Sequence, residues 1–369
     1  MAQTGTVIPQ GLNLRDAPGG NVIKVLSQNT TVQILEDQGE FLKVSFEGRV
    51  GFVKTELVKR DQSLPQPVGI AGAGNGTFHF VGKKAVAPDG TVFGSKFKLG
   101  VFNTGQTSIR QFVQGHGDAF PNISASRLRV MQAVSTNEGK LEAINTFDNA
   151  FLTFGAFQWT VGSDNGAGEL PALIARLKQT YPVVFNQLFG QFGIDIASVN
   201  SPPGQTPTGF FSLNGKPIKT AADKEQKLRT LERAFQFFKA GQNDIMRQVE
   251  IEQAASRIDL FYRDASHKIN GRVIPDFVSS EFGVALILDE HVNRPGHVPN
   301  TITGAVNQFL STPEKSNPDT WTDQDEGTLM DIYIQRRNNT NMTDSQNRAD
   351  RIRAAVTAGL ASDKRGSFT

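Results

Sequence analysis

The feature that most constrains this chain is a break in composition between residues 61 and 77. Ser63-Leu64-Pro65-Gln66-Pro67 is followed closely by Gly69-Ile70-Ala71-Gly72-Ala73-Gly74-Asn75-Gly76. Proline holds the backbone extended, and the glycine–alanine run has almost nothing to bury, so the segment reads as a flexible linker. The chain is therefore expected to fold as two pieces, 1–60 and 78–369. The Gly-x-Gly spacing within the break has no clear strand before it and no convincing helix after it, so it does not read as a phosphate loop.

The front piece is a series of short strands. Val22-Ile23-Lys24-Val25, Thr31-Val32-Gln33-Ile34-Leu35, Phe41-Leu42-Lys43-Val44-Ser45-Phe46 and Val50-Gly51-Phe52-Val53 are separated by Pro18-Gly19-Gly20-Asn21, Gly39 and Gly48. No helical period is present, and several short strands in under 60 residues predict a small barrel. Leu12-Asn13-Leu14-Arg15-Asp16-Ala17-Pro18 resembles the opening motif of bacterial SH3-like domains. Leu42-Lys43-Val44, Gly48 and Gly51-Phe52-Val53 resemble their closing half. Phe41 and Phe52 stand where that family usually has tryptophan or tyrosine, which keeps the apolar contact and loses a side-chain donor. The resemblance implies association with cell-wall peptide or glycan; a structural or partner-docking barrel is the alternative.

Residues 78–115 read as β-rich, with a turn at Pro88-Asp89-Gly90-Thr91, and are expected to open the second domain. Phe93, Phe97, Phe102 and Phe112 are assigned to its core. A helix is expected over Ser124–Asn137, capped by Ser124 or Ser126 and ended by Gly139, with Leu128, Met131 and Val134 on one face. Glu138 then falls at the end of that helix, before an extended stretch rich in Phe, Asn, Thr and Gly.

The run Asn137-Glu138-Gly139, Asp148, Thr153, Gly155 resembles the catalytic segment of phage-type lysozymes. Glu138 and Thr153 are fifteen positions apart, as that family's span requires, and Asp148 falls one place later than the family's aspartate. Phe154-Gly155-Ala156-Phe157-Gln158-Trp159 also resembles the Gly-Leu-Met-Gln segment of goose-type lysozymes and lytic transglycosylases. The resemblance implies an α+β fold, a mostly helical lysozyme-like domain after the small all-β SH3-like one. It also implies cleavage of the β-1,4 glycan of peptidoglycan by Glu138, Asp148 and Thr153.

The residue types suit that chemistry. Breaking a glycosidic bond needs an acid to protonate the departing oxygen, and a glutamate desolvated by phenylalanines keeps its proton near neutral pH. Asp148 would activate water or stabilise positive charge on the sugar, and Thr153 would hold the water. Gln158 and Trp159 are candidate substrate-binding residues. Glu142 is the rival carboxylate, but its spacing of four from Glu138 matches no role in the family. Taken singly, a Glu-Gly helix end is often a solvated terminus and an aspartate in such a loop is often a turn former.

Helices are expected over 169–190, 221–240, 244–266, 278–293, 322–337 and 343–360, with a Pro/Gly-rich excursion over 198–219. The helix ending at Asn293 runs into Asp289-Glu290-His291-Val292-Asn293-Arg294-Pro295-Gly296, the densest polar cluster of the second half. His291, Asn293 and Arg294 either face a cleft as substrate-binding residues or simply cap the helix. Arg336, Arg337, Arg348, Arg351 and Arg353 either bind an anionic polymer or form salt-bridged helix surfaces, the commoner case.

Composition excludes other classes. There is no cysteine, so disulfides and thiolate metal sites are absent, and the five histidines have no metalloprotease spacing. No metal or organic cofactor is implied. With 38 basic and 36 acidic residues, the net charge of +2 does not suit nucleic-acid binding. No stretch is apolar enough to span a membrane. Met1-Ala2-Gln3-Thr4-Gly5 does not resemble a secretory signal, so action at the wall is expected to follow non-Sec release or contact-dependent delivery. A delivered toxin would have an inhibitor (immunity) protein as partner. A lytic transglycosylase, a chitosanase or chitinase, and a non-catalytic wall-binding protein are the remaining alternatives.

Overall fold

A computed structural model describes residues 3–46, 49–60, 76–264 and 266–369. Gly48 and most of the expected linker, 61–75, lie outside the described residues. The chain divides into two compact units, Met1–Gly69 and Ile70–Thr369.

The first unit is a seven-stranded antiparallel sheet of β1 (Gln3–Val7), β2 (Gly11–Arg15), β3 (Val22–Ser27), β4 (Thr31–Asp37), β5 (Phe41–Phe46), β6 (Arg49–Lys54) and β7 (Val58–Arg60). The spatial order is β3-β2-β6-β5-β4-β1-β7. Alternate residues point inward, so Leu12 and Leu14 of β2 meet Leu42 and Val44 of β5 and Val53 of β6 in one core. Gly51 is required where β6 crosses β2, because a Cβ there would stand 2.8 Å from the Leu14 side chain and 2.7 Å from the Arg15 carbonyl oxygen.

The second unit opens with β8 (His79–Val81), β9 (Lys84–Val86), β10 (Val92–Phe97) and β11 (Gly100–Asn103). Two helices follow, α1 (Ile109–Gly115) and α2 (Ala125–Val134), and the chain then returns to the same sheet. There β12 (Ile144–Asn145), β13 (Thr153–Phe154) and β14 (Trp159–Thr160) extend the antiparallel meander. The β-rich opening thus does not stop near residue 115. It continues through the candidate catalytic segment, in strands too short to show an alternating period.

Of the four phenylalanines assigned to the core, Phe93 and Phe112 are buried. Phe97 and Phe102 are exposed on the sheet, edge-on to Phe147 at centroid distances of 4.6 and 5.9 Å.

The remainder differs from expectation at its breaks. The helix expected over 169–190 is two, α3 (Leu170–Thr180) and α4 (Pro182–Leu188), because Pro182 cannot donate into the preceding turn. The excursion over 198–219 belongs largely to a three-stranded sheet, β15 (Ile194–Asn200), β16 (Thr208–Leu213) and β17 (Lys216–Pro217). Its prolines at 202, 203 and 207 sit in the connection between the first two strands. The helix expected over 221–240 is also divided, into α5 (Ala221–Lys227) and α6 (Leu231–Ala240), with Thr230 capping the second.

Six more helices follow, α7 (Asp244–Phe261), α8 (Ile274–Phe277), α9 (Glu281–Asn293), α10 (Val298–Leu310), α11 (Asp323–Asn338) and α12 (Ser345–Thr357). Helix α9 is the axis of this unit: every residue from Glu281 to His291 is buried, and α2, α7, α10, α11 and α12 pack around it. Complete burial of Val284, Leu286, Ile287 and Leu288 contributes about 1.5–3 kcal/mol per side chain. Three charged residues, Glu281, Asp289 and Glu290, are buried on the same helix, and each has cationic or hydroxyl partners.

Candidate active site

Glu138 stands four residues beyond α2. Ser124 caps the helix start, and the helix ends early because the hydroxyls of Ser135 and Thr136 donate back to the Gln132 and Ala133 carbonyls at 2.8 Å each. The chain then turns, and the Gly139 amide donates to the Ala156 carbonyl at 2.8 Å. Gly139 lies tight against the 155–158 turn, since a Cβ there would come 3.1 Å from Gln158 Nε2 and 3.2 Å from Ala143 Cβ. Glu138 is thereby fixed with only 8% of its side chain exposed.

Its carboxylate is ion-paired to Arg348 of α12. The same guanidinium donates to Asp289 of α9 at 2.7 Å and to the Asn137 carbonyl at 3.1 Å. Asp289 in turn accepts from Arg337 of α11 at 3.0 Å and from the Asn137 side chain at 3.0 Å. Arg337 is completely buried and is also held by Ser345. Two carboxylates and two guanidiniums therefore alternate in a buried line that begins at Glu138. Burial pushes the Glu138 pKa up to about 7; Arg348 opposes the rise, and the negative charge of Asp289 adds to it. Arg257 of α7, itself paired with Glu169 at 2.6 Å, also opposes it.

The turn that grips Gly139 rests on a second carboxyl, Glu250 of α7. Glu250 is fully buried, accepts from the Ala156 amide at 3.1 Å, and leaves its other oxygen without a partner among the described residues. Burial pushes its pKa well above the ordinary carboxylate range. Gly155, at φ +79°, passes over it where a side chain would collide with the Glu250 carboxyl. Gln158, at φ +52°, donates to the Gly155 carbonyl at 2.8 Å and so stands beside the Glu138-Gly139 peptide. Trp159 does not face a cleft: it is buried, packs against Phe157, and its indole N–H has no partner among the described residues.

Asp148 and Thr153 belong to the hairpin of β12 and β13. Thr153 is buried and pairs with Asn145 and Thr160. Asp148 sits in the 146–152 loop, where its carboxylate accepts from the Asn145 amide at 2.6 Å and from the Ala150 amide at 2.9 Å. Arg229 donates to its carbonyl. Phe151, a buried residue at φ +60°, is covered by Arg229 and Lys224, so the loop is held in a strained form. Successive loops of an antiparallel meander lie at opposite ends of its strands. Glu138 is tied to the 155–158 end and Asp148 occupies the other, with no hydrogen bond between them. The structure thus joins Glu138, Gly155 and Gln158 in one set and Asp148, Asn145 and Thr153 in another.

The polar end of α9 is a capped helix end. His291 is buried against Phe261, with its ring centroid 5.2 Å away, and burial lowers its pKa to about 3, helped by the positive charge of Arg257. Asn293 donates back to the Asp289 carbonyl at 2.8 Å, and Arg294 meets His297 at 2.6 Å. These three therefore do not form a sugar-facing set; the residue of that cluster that reaches Glu138's network is Asp289. Glu142, the rival carboxylate, is ion-paired to Arg247 and accepts from the Gln106 and Thr107 amides at 3.0 and 2.9 Å. Those donors keep its pKa below the ordinary value against the effect of burial, as a charged brace. Among the described residues no group of three or more His, Asp or Glu side chains is placed to hold a metal.

Sequence reasoning missed Arg348, Asp289, Arg337, Arg257 and Glu250. Asp289 lay in the noted polar cluster, and Arg337 and Arg348 in the noted arginine cluster; what was missing was the pairing. Arg351 and Arg353 are salt-bridged to Asp344 and Asp331, as the commoner reading held.

Residues 10–59 match the family model of the bacterial SH3 domain. The front unit, an all-β antiparallel sheet, is thus an SH3-like domain, and the part that follows is mostly helical. No curated protein and no solved structure matches the chain.

Proposed function

We propose that this protein is a glycosidase directed at the bacterial cell wall, with Glu138 as the general acid of a muramidase-type cleavage. The observation that supports it best is the state of Glu138, a nearly buried carboxyl with its pKa near 7, held by a guanidinium shared with a second buried carboxylate. Glu142, the rival carboxylate, is instead held below the ordinary pKa by its donors.

In this reading Glu138 gives its proton to the glycosidic oxygen as the bond from that oxygen to the anomeric carbon breaks. Arg348 and Asp289 set the orientation of the carboxyl, and Arg348 stabilises the carboxylate that the transfer leaves behind. In hydrolysis water adds to the anomeric carbon and gives up a proton to a base. The family resemblance assigns that role to Asp148 with Thr153, which lie at the other end of the hairpin from Glu138. The SH3-like unit binds the wall and raises the local concentration of the glycan. Action at the wall and an inhibitor partner belong to this same reading.

A second reading, lytic transglycosylation, draws on the engagement of Asp148 within its own turn, because that reaction needs no base to activate water. There the sugar's own hydroxyl closes on the anomeric carbon and its proton returns to Glu138. Digestion of purified sacculi by wild type and Glu138→Gln, with mass spectrometry of the fragments, tests both. Reducing muramic ends from wild type alone are expected. Anhydro-muramic ends would select the second reading, and fragments from neither protein would remove both.

A further inference from the structure

A cavity of about 480 Å³ lies in the helical unit among α3, α4 and the β15–β16–β17 sheet, away from the residues around Glu138. That volume is within the range of small-molecule sites, about 300–1,000 Å³. Its wall carries two carboxamides, Asn186 and Asn214, and the ion pair Lys178–Asp195 at 2.5 Å. Neither carboxamide has a hydrogen-bond partner among the described residues, and one Asp195 oxygen receives neither Lys178 nor the Ile196 amide, both of which go to Oδ1.

The two carboxamides rest on glycines. A Cβ at Gly190 would stand 2.7 Å from Asn186 Oδ1, and one at Gly193 would collide with Asn214 Oδ1. Gly193 at φ +78°, Asn214 at φ +50° and Gly215 at φ +75° fix the turn that presents the second carboxamide. The wall therefore sets carboxamides and an ion pair beside bare backbone, with Pro182, Phe185 and Ile194 as its apolar part.

The charges of the wall cancel, and one is a carboxylate, which disfavours phosphate-bearing ligands. The ion pair and the two carboxamides disfavour a wholly fatty one, which would leave them desolvated. A neutral ligand rich in hydroxyl and amide groups meets both conditions. We infer that this cavity is a second saccharide site, taking one or two rings of an N-acetylated amino-sugar chain. The choice of sugar rests on the glycan reading above; the neutral, hydroxyl-rich class rests on the cavity alone.

The test is NMR titration of the ¹⁵N-labelled full chain carrying Glu138→Gln, with N-acetylchitotriose as probe. Shifts are expected at the side-chain amides of Asn186 and Asn214 and the backbone amides of Gly193 and Gly215, saturating near a Kd of about 1 mM. Asn214→Gly tolerates the left-handed backbone, and Asn186→Ala lies on an exposed helix position, so both should fold. Together they should weaken the binding at these resonances about tenfold or more. No shift at these residues, shifts that the double variant leaves unchanged, or shifts with inorganic phosphate instead of the sugar would each overturn the inference. Because the readout is binding in a chain without the proposed acid, its failure is separate from failure to cleave sacculi.

Discussion

Glu138 is ion-paired to Arg348, a residue 210 positions further along the chain. The pair sets the charge state on which the proposed chemistry depends. Burial raises the Glu138 pKa from 4.5 to about 7, even with a guanidinium in contact. The folded state then holds a proton that the unfolded chain has already released between these two values. Its stabilising effect is complete below pH 4.5 and is lost as the pH rises through about 7. The amount is on the order of 3 kcal/mol. Glu138→Gln removes this dependence, so the variant should gain in Tm relative to wild type between pH 4.5 and 7, with a constant difference above. Parallel Tm profiles would show that Glu138 titrates normally. In activity, the same substitution should lower kcat about 10²–10⁴-fold, and wild-type kcat/KM should fall above pH 7.

Arg348 acts on that pKa in the opposite sense from burial. Arg348→Met removes the opposing positive charge, so the alkaline limb of kcat/KM should move upward. The change also leaves Asp289 with Arg337 as its one remaining cation. Losing one member of a buried ion network costs about 3–5 kcal/mol, which urea unfolding would measure. Arg348→Lys keeps the charge but cannot reach both carboxylates with a planar fork. It should restore the pH limb more fully than it restores stability. An alkaline limb that stays in place in Arg348→Met would detach Arg348 from the acid.

The parts of this molecule that could be read from its sequence are those with local signatures. The front domain was legible because alternating residues such as Leu12, Leu14, Leu42 and Val44 bury one face of each strand, and turn residues separate them. The placement of Glu138-Gly139 against the 155–158 turn was legible because a glutamate, a glycine and a downstream hairpin fall at fixed spacing. Asp289 and Arg348 were seen only as members of polar clusters, since their contact joins residues 59 apart and leaves no periodic trace. Glu250 gave no signal, because in sequence it reads as one more acidic residue of an amphipathic helix, whereas packing buries it completely. Strands β12–β14 have two residues each, too few to establish a period.

Asp148 is bound to its own loop in a way that makes its amide analogue informative. Asn145 uses its side-chain oxygen to accept from the Phe147 amide at 2.9 Å, so its nitrogen must face Asp148. In Asp148→Asn the new amide can satisfy Ala150 or Asn145, but not both. A stability loss of about 1 kcal/mol is expected from the hydrogen bond alone. If Asp148 activates water, release of reducing ends should fall about 10²–10⁴-fold, well beyond what that loss explains. An unchanged rate, with anhydro ends in the product, would instead assign the site to transglycosylation.

Glu250 and Glu138 are connected through one peptide unit and its neighbour: Ala156 donates its N–H to Glu250 and accepts with its C=O from Gly139. Glu250 needs only an acceptor oxygen to do this, and burial pushes its pKa up, in favour of the neutral form. Glu250→Gln supplies an acceptor oxygen on a neutral head, and should match wild type in activity and in the position of the alkaline limb. Its Tm should exceed that of wild type toward high pH, where the native carboxyl must either keep a proton the solvent no longer favours or ionise while buried. Glu250→Ala opens a cavity and removes the support of the 155–158 turn, with an expected loss of about 2–4 kcal/mol. With Gly139 released, water should reach Glu138, and its pKa should fall back toward 4.5, moving the alkaline limb down. A Glu250→Ala protein with lowered Tm and an unmoved limb would make Glu250 a packing residue alone, whereas loss of the limb shift in Glu250→Gln identifies the Ala156 peptide as the link between the two carboxyls.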